Sequence, residues 1–204
     1  MQKDIYLIRG RDDETYGEFK TRVMNLLTQV KNEVKPLKMK VVYTAEAPPS
    51  VSIIPFRKEK IASVSIWKED DEIVSTLLNS DGFTGAYRVD EVLPVAYEKT
   101  WPDGEMTPGV CLFTLFNRKK GIQRTTFLHR WHNSHTPLSL KIHPLWNYSR
   151  NVVKETLVRD SQKFEGIVDE QMRTDSDLLN PFRFFGNPFV ILQRMMMVYI
   201  DTKS

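Results

Sequence analysis

"DIYLIRGRDDETYGEFKTRVMNLL" (residues 4–27) and "VCLFTLFNRKKGIQRTTFLHRWHN" (residues 110–133) share one pattern: an apolar run, a charged turn, then a helical stretch with an aromatic residue near its start. Identity between them is slight, so the pattern decides the fold and the letters do not. In the first stretch, residues 4–10 are rich in β-formers, and Phe19, Val23, Leu26, Val30 and Val34 follow at helical spacing. Downstream, "MKVVYTAEA" (39–47) and "KIASVSIWKED" (60–70) read as strands. "DEIVSTLLNS" (71–80) reads as a shorter helix and "EVLPVAYEKTW" (91–101) as a closing strand. Strand, helix, strand, strand, helix, strand is the split βαβ or ferredoxin-like order.

"WPDGEMTPGV" (101–110) has two prolines and two glycines among polar residues and is the best linker in the chain. Beyond it the pattern resumes. "GVCLFTLFNRKKG" (109–121) gives a strand, "QRTTFLHRWHNSH" (123–135) a helix, and "FEGIVDEQMRT" (164–174) an alternating strand. "SDLLNPFRFFGN" (176–187) gives a short helix or turn, and "ILQRMMMVYID" (191–201) a last strand. The expected fold is therefore α+β: two ferredoxin-like (split βαβ) repeats, residues 1–105 and 106–204. Their antiparallel sheets pair into an intrachain α+β barrel that hides exposed edges, with the helices outside. A small ligand would sit between sheet and helix, where 11 phenylalanines and 8 methionines can build an adaptable apolar lining or simply fill the core.

Composition narrows the function. A net charge of +3, from 29 basic and 26 acidic residues spread along 204 positions, is too small to suggest a nucleic-acid partner. The basic clusters at 57–60 and 117–121 fall in turn-like stretches, where such charges solvate a loop. The single cysteine, Cys111, sits in an apolar run and suits a reducing compartment, and no signal-like segment opens the chain; a cytoplasmic protein is expected. The most apolar run, "FVILQRMMMVYI" (189–200), contains Gln193 and Arg194 and is too short to span about 30 Å of bilayer, so no membrane span is expected.

"FLHRWHNSHTPL" (127–138) concentrates three of the four histidines with Trp131 and then Pro137. On a helix, His129, His132 and His135 each step about 60°, so they share an arc of about 120°. Metal pairs on helices are usually spaced i, i+4, and no cysteine or carboxylate cluster on this segment completes a set. Pro137 should kink or end the helix around His135. A histidine there either caps the last carbonyls or moves a proton, with Tyr148 and Asp169 as the candidate partners that tune it.

The spacing Phe127, Trp131, His135, Pro137, Leu138, then Tyr148 in "LWNYSRNVV" and "FEGIVDEQMRT", resembles the EthD family of dimeric α+β barrel proteins. In that family a His-Gly-Pro-Leu-like turn is followed by a tyrosine and then by a strand reading roughly Asp-Gly-Val-Ala-Glu. The chain departs by Thr136 where glycine usually follows the histidine, by Glu165 for the aspartate, and by Asp169 for the glutamate. The match lies in the second half; the first half, with Ser65 and Trp67 on the matching strand, shares only the layout and is expected to be structural. The resemblance implies His135, Tyr148 and Asp169 as catalytic groups; His132, on the same helical arc, joins them as a catalytic candidate, and Trp131, Leu138 and Phe127 are the expected substrate-binding residues. It also implies a monomer or homodimer. The leading expectation is a cofactor-independent lyase, isomerase, cyclase or monooxygenase using histidine acid–base chemistry on a small apolar or aromatic molecule. Two alternatives stand beside it: a haem enzyme with His132, His135 or His143 as axial ligand, and a non-catalytic protein that binds a hydrophobic ligand. Fold alone does not choose among them.

Overall fold

The computed structural model describes residues 1–189 apart from 51, 53 and 55. Its first half runs β1 (Gln2–Arg9), α1 (Tyr16–Val34), β2 (Lys38–Tyr43), β3 (Ile61–Lys68), α2 (Ser75–Leu78) and β4 (Phe83–Val95). The second runs β5 (Val110–Phe116), α3 (Arg124–Arg130), a π-helical turn (Trp131–His135), α4 (Thr136–Ile142), β6 (Asn147–Thr156), β7 (Gly166–Met172), α5 (Asp175–Leu179) and α6 (Pro181–Phe184). The seven strands form a single antiparallel sheet in the order β2-β3-β1-β4-β6-β7-β5. The fold is mixed α+β, and the join between the halves is the β4–β6 ladder.

The sheet curls. Lys40 of β2, the first strand in the order, reaches Asp169 of β7, the sixth, at 2.8 Å. That contact is possible only if the strands bend into a half-barrel, and it makes the face carrying both residues the inner one. On that inner face Ile5, Leu7, Tyr87, Val89, Val153 and Ile167 pack together, drawing side chains from both halves. The outer face is covered by helices.

α1 starts where local chemistry demands it: the Thr15 hydroxyl accepts from the Glu18 amide while the Glu18 carboxylate accepts from the Thr15 amide, a reciprocal cap. Its apolar stripe, Phe19, Val23, Leu26, Leu27 and Val30, is buried against Tyr6, Ile8, Val64 and Ile66 of the sheet. At about 2 kcal/mol per buried side chain, this packing supplies on the order of 10 kcal/mol of transfer free energy, far more than helix propensity could. Over the second half, Trp131, Tyr148 and Val168 form the corresponding core, with Phe116, Phe127 and Leu128 around it. Gly166 makes this close approach possible, since a Cβ there would lie 2.5 Å from the Phe116 ring and 2.7 Å from the Trp131 ring.

Several elements differ from the sequence pattern. β4 begins at Phe83, eight residues before the expected strand, because Gly82 (φ +81) turns the chain and Gly85 leaves space beneath the Tyr87 hydroxyl. The helix expected over 71–80 is only four residues long. β6 is an additional strand, and it is the one that joins the two halves. The histidine helix does not end at His135. The Thr136 amide bonds back to the Trp131 carbonyl, five residues earlier, and this wider turn admits Pro137 in the first turn of α4. The strand expected over 191–201 lies outside the described residues. No helix among the described residues is long and apolar enough to cross a membrane.

Candidate functional site

The residues singled out from the sequence fall on both faces of the sheet. Strand alternation decides this: Tyr148 pairs with Glu170, and Ser149 pairs with Asp169. Tyr148 therefore faces the helices and Asp169 faces the inside of the curl. His135 and Leu138 are exposed on the helical layer, with the His135 Nε2 3.5 Å from the Ser139 hydroxyl. The structure does not bring His135, Tyr148 and Asp169 together.

It does gather a different set on the outer face, under the π-turn. Trp131 is buried edge-on to Phe116 (ring centroids 4.8 Å apart) and beside Phe127 (5.7 Å). Thr136, also buried, donates from its hydroxyl to the Trp131 carbonyl at 2.9 Å and accepts from Arg150 Nη1 at 3.0 Å. The Tyr148 hydroxyl meets Thr136 and Trp131, and burial holds its pKa above the ordinary phenol value. Opposite Tyr148, burial pushes the Glu170 carboxyl up to about 7. His132 faces inward with its Nε2 buried, and burial, followed by the nearby Arg150 charge, keeps its pKa below the usual imidazole value. A carboxyl titrating near neutrality beside a phenol held protonated is a pairing suited to proton transfer.

Arg150 and Glu170 are the members that sequence reading missed. Their signal was parity: once β6 is known to pair with β7, the outer-face positions are fixed at 148 and 150 on one strand and 168 and 170 on the other. The other histidines are engaged elsewhere. Asn133 donates to His129 Nδ1 at 3.0 Å, while His143 donates from Nδ1 to the Phe184 carbonyl at 2.7 Å and stacks on the Phe184 ring at 4.1 Å.

The inner face holds a second polar cluster. Lys3 donates to Glu91 and to Asn151, both at 2.7 Å; Ser149 and the Trp67 indole also donate to Glu91, at 2.7 and 3.1 Å. Burial dominates the Lys3 ammonium and lowers its pKa against the pull of Glu91. For Glu91, burial is outweighed by Lys3 and by the hydrogen bonds it accepts, so the carboxyl stays below its ordinary value. One Asp169 oxygen is held by Lys40, and the other is buried with no hydrogen-bond partner. These groups flank an open cleft of about 2020 Å³, walled among others by Lys40, Trp67, Glu91, Tyr97, Trp101 and Phe113. Among the described residues, no group of three or more His, Cys, Asp and Glu side chains is placed to hold a metal ion. No protein-family model matches the chain, and no curated protein matches it either.

Proposed function

We propose that the chain is an EthD-like enzyme that moves a proton on a small apolar or aromatic molecule held between the sheet and the helices of its second half. Glu170 is the base and Tyr148 the hydrogen-bond donor to the oxygen on which charge develops. The observation that carries this reading is the placement of Tyr148 directly opposite Glu170 on the helix-covered face, beneath the turn that carries His132. Glu170, titrating at about 7, is matched to a proton moving at neutral pH. His132 replaces His135 as the imidazole beside the reacting atoms, and Glu170 replaces Asp169 as the carboxylate. The mechanism needs no cofactor: the base takes a proton from carbon next to a carbonyl, and the phenol stabilises the enolate that forms.

The proposed architecture is two ferredoxin-like units fused into one barrel, supported by the strand orders β2-β3-β1-β4 and β6-β7-β5 on either side of the β4–β6 junction. Cys111, half-buried and unpaired, fits the reducing interior of the cytoplasm. The test is hydrogen exchange into deuterium oxide, followed by NMR on a panel of enolisable aromatic ketones and keto acids. Catalysed exchange that falls by about 10²-fold or more in folded Glu170→Gln is expected. Exchange that persists in that variant, or none with any member of the panel, overturns the reading.

The inner cleft favours a second reading, a ligand-binding protein without turnover. Its mark would be saturable binding that Trp67→Ala weakens and Glu170→Gln leaves alone.

A further inference from the structure

Three cations are buried among the described residues: Lys3, Lys68 and Arg150. Lys3 pairs with Glu91 at 2.7 Å, and Lys68 lies 3.5 Å from Asp4 and 3.2 Å from Asp70. Arg150, only 7% exposed, has no carboxylate within ion-pair distance among the described residues. One of its Nη groups is satisfied by the Thr136 hydroxyl, its guanidinium carbon lies 5.7 Å from the Trp131 ring centre, and its Nε is buried with no hydrogen-bond partner. Glu170 lies on the same face, two positions along β7 from Val168, the residue opposite Arg150, and makes no ion pair with it. A buried charge without a partner costs several kcal/mol. Lys3 and Lys68 meet that cost with carboxylates of the same chain; among the described residues Arg150 does not.

A second orphan shares a neighbour with the first. His132 Nε2 is buried without a partner, and the His132 ring lies 5.5 Å from the Trp131 ring, the same ring that the Arg150 guanidinium approaches to 5.7 Å. We infer that Arg150 and His132 form the binding site for one carboxylate, the anionic group of the molecule handled at this face. Arg150 Nε–H donates to one carboxylate oxygen and His132 Nε2–H to the other, so a single planar anion satisfies both orphans and neutralises the guanidinium. A phosphate fits less well, because its third oxygen and second charge find no further donor among these groups. The rings of Trp131 and Phe127 flank the site and select an aromatic or apolar body behind the carboxylate. As a statement about substrate class this rests on the proposed function, while the binding itself can be measured without turnover.

The probe is benzoate, titrated into the full chain by calorimetry, with the His132 and Arg150 side-chain nitrogens followed by NMR. Saturable one-to-one binding that moves both signals is expected, weaker by about tenfold or more in Arg150→Gln, as loss of a buried charge-assisted hydrogen bond implies. Without benzoate, Arg150→Gln should melt no lower than the wild type, since it removes an unpaired buried charge. Arg150→Lys, which keeps the charge but not the fork, should also bind about tenfold more weakly, and it serves if the glutamine variant does not fold. No saturable binding overturns the inference, as does binding that leaves the His132 signal unmoved or that both Arg150 variants retain in full. Glu170→Gln separates the two proposals: it should cut exchange by about 10²-fold or more and keep benzoate binding, so loss of one readout does not imply loss of the other.

Discussion

Glu170→Gln makes a prediction about stability that needs no substrate. In the folded chain the carboxyl titrates at about 7, against 4.5 for the exposed group. Between these values the native state holds a proton that the unfolded chain has released, so stability falls as pH rises. The contribution is fully present below pH 4.5 and lost as pH passes through 7. At about 1.4 kcal/mol per pH unit the gap corresponds to about 3.5 kcal/mol as an upper bound, and a half-buried carboxyl that water still reaches should realise about 1–2 kcal/mol of it. Glutamine has nearly the same shape and never ionises, so the variant lacks this pH dependence. Urea unfolding of both proteins from pH 4.5 to 8.5, at matched ionic strength, gives the difference directly from the midpoints if the slopes agree. The variant should gain on the wild type by about 1–2 kcal/mol across the range, with the gain accruing between 4.5 and 7 and levelling off above 7. A difference that stays flat with pH would mean that Glu170 is solvated like a surface carboxylate, and its assignment as the base would fall with it.

Two further outcomes test the framework around the site. Gly166→Ala places a methyl group 2.5 Å from the Phe116 ring and 2.7 Å from the Trp131 ring, so it should cost about 1–3 kcal/mol in urea unfolding and shift the tryptophan emission. Lys40→Met leaves Asp169, 4% exposed in its side chain, with neither oxygen paired, and should cost about 3 kcal/mol. The double variant Lys40→Met/Asp169→Leu should recover most of that loss, because it removes the stranded charge.

What could be read from the sequence, and what could not, follows from one physical distinction. Periodicity reports a contrast between a wet face and a dry one. α1 has that contrast, with a reciprocal cap at its start and an apolar stripe facing the sheet, and its spacing predicts it almost to the residue. β6 does not have it. "NYSRNVV" looks like a loop because polar residues stand on both of its faces, yet residues 147–151 are all buried: Ser149 and Asn151 belong to the network around Lys3 and Glu91 on the inner face, while Tyr148 and Arg150 face the helices. A strand whose polar groups are satisfied by other protein groups gives no alternating signal, and here it is the strand that joins the halves.

The same absence of contrast hides which polar groups share a face. Asp169 and Glu170 are adjacent acids, and sequence cannot choose between them until the β6–β7 register fixes parity, after which a shift of one residue exchanges their faces. The π-turn does the same to the histidines. An arc drawn at 100° per residue treats His132 and His135 as neighbours on one face, but a turn closed over five residues leaves His135 exposed and the His132 Nε2 buried. The strand register and the π-turn decide where the carboxylates and imidazoles point, and neither disturbs Tyr148 or Trp131, whose positions depend on bulk that must be buried. Large side chains are placed by the hydrophobic effect and are legible from the sequence. Buried charges are placed by their partners, so Arg150, the one buried cation among the described residues that has no carboxylate beside it, stood out only once Lys3 and Lys68 had been paired.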